Sequence, residues 1–134
     1  MPLTVVLDTN MLTVPAQFGL DIFKEAEREL ERKLDFVVIE PVVWELEKKL
    51  AHLSGTERQK FKIALDLLNR CIIKKVETSE RSQSVDDQII IFAKAAKGVI
   101  ATNDKGLIDL AIAERIPVLS LRGGKRLQLR GTVS

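Results

Sequence analysis

Leu3-Thr4-Val5-Val6-Leu7-Asp8-Thr9-Asn10 is the stretch on which the reading of this chain turns. Its apolar part is short, rich in β-branched residues, and stops at a carboxylate. Such a run reads as a buried strand of a parallel sheet. A parallel strand ending in Asp-Thr-Asn sets polar groups at its C-terminal mouth. In open α/β sheets ligands bind at that mouth, where the strand order reverses. The question for the rest of the chain is what stands beside Asp8.

Outward from that strand, helical and strand patterns alternate. Residues 10–15 are short and irregular, stopped before Pro15. Residues 18–34 read as a strong helix with Phe23, Ala26, Leu30 and Leu34 on one face. Its other face is dense in charge, and Glu29 and Lys33 stand at a favourable i,i+4 spacing. Residues 35–39 are a second strand closed by Glu40-Pro41, and proline at a first helical position opens a helix over 41–52. Val42, Val43, Leu46 and Leu50 face inward, and Trp44 is expected to pack on the sheet. Ser54-Gly55-Thr56-Glu57 has the pattern of a capping box and starts the next helix, which buries Phe61, Ala64, Leu65, Leu68 and Ile72 or their neighbours.

Residues 72–76 form a short strand and 77–83 a polar loop. Ser84-Val85-Asp86-Asp87 opens a helix through Lys97, with Gly98 in the C-cap role. Val99-Ile100-Ala101-Thr102 is a fourth strand, followed by Asn103-Asp104 and a helix to about 115; residues 117–121 make a fifth strand. The order β-α-β-α-α-β-α-β-α-β predicts a parallel sheet covered by helices on both faces.

The 134 residues, 46% of them hydrophobic, suit one domain with a real core. No apolar stretch is long enough to span a bilayer, so no membrane partner is expected. The N-terminus lacks the pattern of a signal peptide, and Cys71 is the lone cysteine, expected as a small apolar residue. A cytoplasmic location is the expectation. The formal net charge of +2 identifies no partner by itself. Its distribution says more: from Arg115 onward there are basic residues and no acid. We place the domain over 1–122 and a basic C-terminal tail over 123–134. With no Tyr, one Trp and five Phe, a platform for stacking bases is not expected, and any nucleic acid would be held by its backbone.

Two strands end alike, in Asp8-Thr9-Asn10 and in Thr102-Asn103-Asp104. Side by side at the switch point they bring Asp8 and Asp104 together. Asp86 and Asp87 open the helix that feeds the fourth strand, and Glu45 lies about one turn into the helix after the second. Carboxylates converging on one mouth at ~4–5 Å repel and raise one another's pKa. A divalent cation removes the conflict, and hard oxygen donors without His or Cys select Mg²⁺ or Mn²⁺. Neither a Walker A pattern nor GxGxxG occurs, which weighs against a nucleotide triphosphatase or a dinucleotide enzyme. The rival reading is structural: Asp8 and Asp104 are good helix N-caps, and Ser84 with Asp87 forms a capping pair.

Leu7-Asp8-Thr9-Asn10, Val43-Trp44-Glu45-Leu46, Val85-Asp86-Asp87-Gln88-Ile89-Ile90 and Ala101-Thr102-Asn103-Asp104, in that order, resemble the PIN-domain ribonucleases over essentially the whole chain. The ending Ile116-Pro117-Val118-Leu119-Ser120-Leu121-Arg122-Gly123-Gly124-Lys125 is similar to the archaeal branch related to ribosomal-RNA-processing PIN proteins more than to the toxin branch. The resemblance implies a three-layer α/β/α sandwich with strand order 3-2-1-4-5. It also implies a metal-dependent ribonuclease with Asp8, Glu45, Asp86 and Asp104 as the catalytic and metal-binding cluster, Glu45 directly or through water, and Asp87 as the alternative to Asp86. Thr9, Asn10, Thr102 and Asn103 would orient ligands and water. Arg122, Lys125, Arg126 and Arg130 would bind RNA. A toxin-type enzyme with an antitoxin, a ribosome-assembly partner, a homodimer and a non-catalytic RNA-binding scaffold stay open as alternatives.

Overall fold

The computed structural model describes residues 1–76 and 83–133. The β-branched run Leu3–Leu7 is β1, followed by α1 (Thr9–Leu12), α2 (Val14–Phe18), α3 (Ile22–Leu30), β2 (Leu34–Ile39), α4 (Glu40–His52) and α5 (Gly55–Leu67). Then come β3 (Ile72–Lys74), α6 (Val85–Ala96), β4 (Val99–Ala101), α7 (Lys105–Ala113), β5 (Val118–Arg122) and β6 (Arg126–Arg130). The sheet order is β3-β2-β1-β4-β5-β6. The expected order 3-2-1-4-5 is thus present, with one strand more. β1 pairs in parallel with both β2 and β4, so Asp8 leaves the sheet where the order reverses.

Burial explains why β1 carries no polar side chain inward. Val5 and Val6 are fully buried, as are Ile100 and Ala101 beside them. α3 lays Ile22, Phe23, Ala26 and Leu30 against the core, and Phe23 meets Phe36 edge-on with ring centroids 4.8 Å apart. No described helix is long and apolar enough to cross a membrane.

Several local expectations are corrected. The helix expected over 18–34 is divided: Gly19 turns left-handed after α2, and Asp21 caps a new helix by accepting the N–H groups of Phe23 and Lys24. α3 stops at Leu30, so Leu34 opens β2 and Glu29 has no helical partner in Lys33. Gly98 is not the left-handed residue; Lys97 is, at φ 52°, and a Cβ on Gly98 would lie 2.6 Å from the Thr4 carbonyl oxygen. Glycine is there so that the start of β4 can approach β1. Trp44 does not pack on the sheet but is 54% exposed. Ser54 caps α5 without a side-chain hydrogen bond. Of the loop expected over 77–83, residues 77–82 lie outside the described residues.

The division at 122 also changes. Gly123 and Gly124, both at positive φ, make a tight turn, and β6 returns antiparallel on β5. Leu127 on β6 is fully buried. The outer edge of β6 is not left open. Glu25 Oε1 accepts the Leu127 N–H at 3.1 Å, Glu29 Oε2 accepts the Leu129 N–H at 2.7 Å, and Arg28 donates to the Leu127 carbonyl at 3.2 Å. The charged face of α3 thus occupies the hydrogen-bonding groups of an edge strand. Sequence pattern missed this because β6 is five residues of alternating Arg, Leu and Gln without a β-branched member.

Candidate active site

The end of β1 turns directly into α1, and Asp8 is the N-cap: its Oδ1 accepts the Met11 N–H at 2.7 Å. Its Oδ2 accepts the hydroxyl of Thr102, at the end of β4. The Thr102 hydroxyl in turn accepts the Asp104 N–H at 3.0 Å. Asp104 caps α7, with Oδ2 on the Leu107 N–H at 3.0 Å. Both aspartates therefore cap the helices that follow their strands. The Asp104 cap uses only one of its carboxylate oxygens.

Asp8 is only 6% exposed. Burial pushes its carboxyl up from the ordinary 3.8 to about 7, and Asp86 and Asp104 add to the rise. The Thr102 hydroxyl and the Met11 N–H oppose it. Asp86, half-buried in the first turn of α6, is raised by its own burial and then by Asp104, Glu45 and Asp87. Asp87 points to solvent, and its N–H goes to Ser84 Oγ at 3.0 Å, so the expected Ser84–Asp87 cap is present. Asp86 is the member that faces the other carboxylates. Glu45 accepts the Thr9 hydroxyl at 2.7 Å, which joins α4 to the start of α1.

Asp8, Asp86, Asp104 and Glu45 thus form one like-charged group. Among the described residues no Lys or Arg is ion-paired with any of them. Nor are three such side chains gathered tightly enough to grip one ion directly. The donors are all hard oxygens, of the kind that Mg²⁺ or Mn²⁺ takes, and such an ion needs only one or two carboxylates because it keeps several waters.

The remaining expected residues separate. Asn103 accepts the Leu121 N–H at 2.7 Å and so fastens the end of β4 to β5. Asn10 is exposed, and its backbone carbonyl accepts the Thr13 hydroxyl. β5 runs parallel to β4, so Arg122 emerges on the same rim as Thr102, directly opposite Arg126 across the turn, with Lys125 between them. Arg130 lies opposite Val118, at the far end of the strand. Four residue steps put it roughly 13 Å from that rim. Three of the expected basic residues come together and the fourth does not.

On the other flank, a cavity of about 420 Å³ is lined by Thr9, Glu45, Lys48, Lys49, His52 and Leu53. Sequence reading gave Lys48 and Lys49 no role. The signal was present: Glu45, Lys48, Lys49 and His52 recur at helical spacing.

A family model described as a PIN-like domain matches residues 5–124, a span that holds all four carboxylates. Ribonuclease VapC4 of Methanocaldococcus jannaschii is 31% identical over 130 residues, covering 96% of this chain and 98% of its own length. The solved structure of the PIN domain endonuclease Utp24 is similar with a TM-score of 0.75 at 24% identity, covering 99% of this chain and 95% of that one. A domain of a functionally unknown protein from Methanocaldococcus jannaschii gives 0.62 at 19% identity, over 90% and 91% of the two chains. These two share the fold.

Proposed function

The chain belongs to the PIN-like domain family, and on that premise we propose that it is a divalent-metal-dependent endoribonuclease. Similarity to a protein named as a ribonuclease supports RNA cleavage. The observation that carries the metal dependence is the buried Asp8 carboxylate, set beside Asp86 and Asp104 with no described cation paired to it.

Asp8 and Asp104 would hold the ion, with Asp86 and Glu45 completing its surroundings directly or through water. When bound, the ion offsets charge on the scissile phosphate and makes a neighbouring water a better nucleophile. Thr102 holds Asp8 by its Oδ2 and fixes Asp104 through its backbone N–H, so one hydroxyl sets the spacing of two carboxylates. Thr9 orients Glu45. Arg122 and Arg126 are like charges directly opposite each other, an arrangement that is unfavourable unless an anion lies between or beside them. An RNA phosphate fits that need. The resemblance of residues 116–125 to the ribosomal-RNA-processing branch makes structured ribosomal RNA the first natural substrate to test.

The experiment is cleavage of a labelled single-stranded RNA in Mn²⁺, in Mg²⁺ and in EDTA, with Asp8→Asn purified in parallel. Cutting that needs the metal and vanishes in Asp8→Asn is the expected result. Equal cutting by both proteins, or cutting in EDTA, overturns the reading.

A further inference from the structure

We propose that the face of α4 running from Glu45 to His52, with Trp44 on its shoulder, is a single-stranded RNA subsite that seats a nucleotide beside the cutting centre. The choice of RNA as occupant rests on the function proposed above.

The cavity on this face, about 420 Å³, falls within the usual ~300–1,000 Å³ of small-ligand sites. It is continuous with the mouth, because Thr9 and Glu45 belong to both. Glu45 to His52 spans roughly 10 Å of helix axis. Along that length Lys48 and Lys49 bracket the line from Glu45 to His52, and both are exposed. Neither is within ion-pair distance of a described carboxylate. Two lysine ammonium groups beside an acidic mouth give the polarity that a phosphate backbone needs. The strand is attracted next to the carboxylates, and the ion offsets charge at them.

Trp44 supplies the second observation. Helical spacing puts it one turn from Lys48 on the same side of α4. At 54% exposed it leaves over half of a large apolar side chain in water, in a chain with one Trp and no Tyr. A base stacked on it would cover the indole, and stacking tolerates any base because every base has a π-face. A stacking platform is not expected because aromatics are scarce; the one exposed indole nevertheless offers a surface for a single base.

The single tryptophan makes the test direct. The native chain is titrated in EDTA with a short uncut oligoribonucleotide, and the intrinsic fluorescence, which comes from Trp44 alone, is followed. The expected result is saturable quenching. Trp44→Leu, followed by anisotropy of the labelled RNA, binds about tenfold more weakly. Lys48→Gln with Lys49→Gln lowers the slope of log affinity against log salt by about 1.4, two phosphate contacts at ~0.7 each. The same charge removed at the far end of the sheet, by Lys33→Gln with Lys97→Gln, leaves that slope unchanged. Binding without a fluorescence change, an unaltered slope in the Lys48, Lys49 variant, or no binding overturns the proposal. Cleavage by the native enzyme with a silent tryptophan sinks the subsite and spares the nuclease. A responsive tryptophan with no cleavage in Mn²⁺ does the reverse.

Discussion

Thr102 and Asp8, 94 positions apart, meet in a buried hydrogen bond that crosses from the end of β4 to the end of β1. The hydroxyl opposes the upward push that burial gives the Asp8 carboxyl. Thr102→Val removes that donor and leaves the Asp104 N–H without its acceptor. The expected outcome is a loss of about 1–3 kcal/mol in urea unfolding. The acidic limb of the pH–activity profile also moves to higher pH, since Asp8 then ionises later. Thr102→Ser restores both. An unmoved limb in the valine variant would show that Thr102 is only a packing residue.

Asp8→Asn is expected to abolish cleavage and yet stabilise the metal-free protein. The folded carboxyl titrates at about 7, against an ordinary 3.8. Its contribution to stability is complete below the lower value and is lost as pH rises through the upper one. Above pH 7 the charge is buried without compensation, and the asparagine variant avoids this. Its advantage in EDTA is a few kcal/mol at pH 8 and shrinks toward zero as pH approaches 4. Urea unfolding of both proteins across that window checks it, and a pH-independent difference would be the wrong outcome.

Divalent-ion binding should show the same group from the other side. With Asp8 as the proposed ligand, binding of the ion is expected to displace a proton at pH below about 7. Apparent Mn²⁺ affinity, measured by calorimetry, is expected to be flat above that pH and to fall about tenfold per pH unit below it. Asp86→Asn weakens the rise on Asp8 and moves the break to lower pH, because Asp86 is one of the charges that raises it.

The centre of the fold and two of the four carboxylates, Asp8 and Asp104, were legible in sequence for one reason. Parallel strands with both faces covered must be continuous apolar runs, so Leu3–Leu7 and Val99–Ala101 announce themselves and so do the polar residues that end them. The margins were not legible, because there the decisive contacts are long-range. β6 exists because Glu25 and Glu29, about a hundred residues earlier, hold its outer edge. No local propensity of Arg-Leu-Gln-Leu-Arg reports that. Trp44 was misplaced for a similar reason: a large apolar residue in a helix is assigned inward by default, and only the packing of α4 shows that Val42 and Leu46 already fill that face. Asp8 and Asp104 were read as caps or ligands, and both do cap helices, Asp104 through one carboxylate oxygen alone.

The α3–β6 contact makes its own prediction. Glu25→Ala with Glu29→Ala uncovers the Leu127 and Leu129 amides on the edge of the sheet. Hydrogen exchange at those two amides is expected to accelerate well before that at Val5 or Val6, and stability to fall by about 1–3 kcal/mol. Glu25→Gln with Glu29→Gln keeps a carbonyl acceptor at each place and recovers most of the protection. Unchanged exchange in the alanine variant would mean that β5 alone holds β6.

The basic residues at the two ends of β6 separate backbone contact from bystander charge. Arg122 and Arg126 face each other on the rim that carries Asp8 and Thr102, and Arg130 sits at the other end of the strand. Arg122→Gln with Arg126→Gln is expected to raise KM for single-stranded RNA severalfold with kcat little changed, since the contacts hold ground state and transition state alike. The slope of log affinity against log salt falls by about 1.4. Arg130→Gln moves neither quantity. The decisive reading is the comparison at one salt concentration: if Arg130→Gln weakens binding as much as the paired substitution does, the RNA runs along the whole hairpin rather than across its turn.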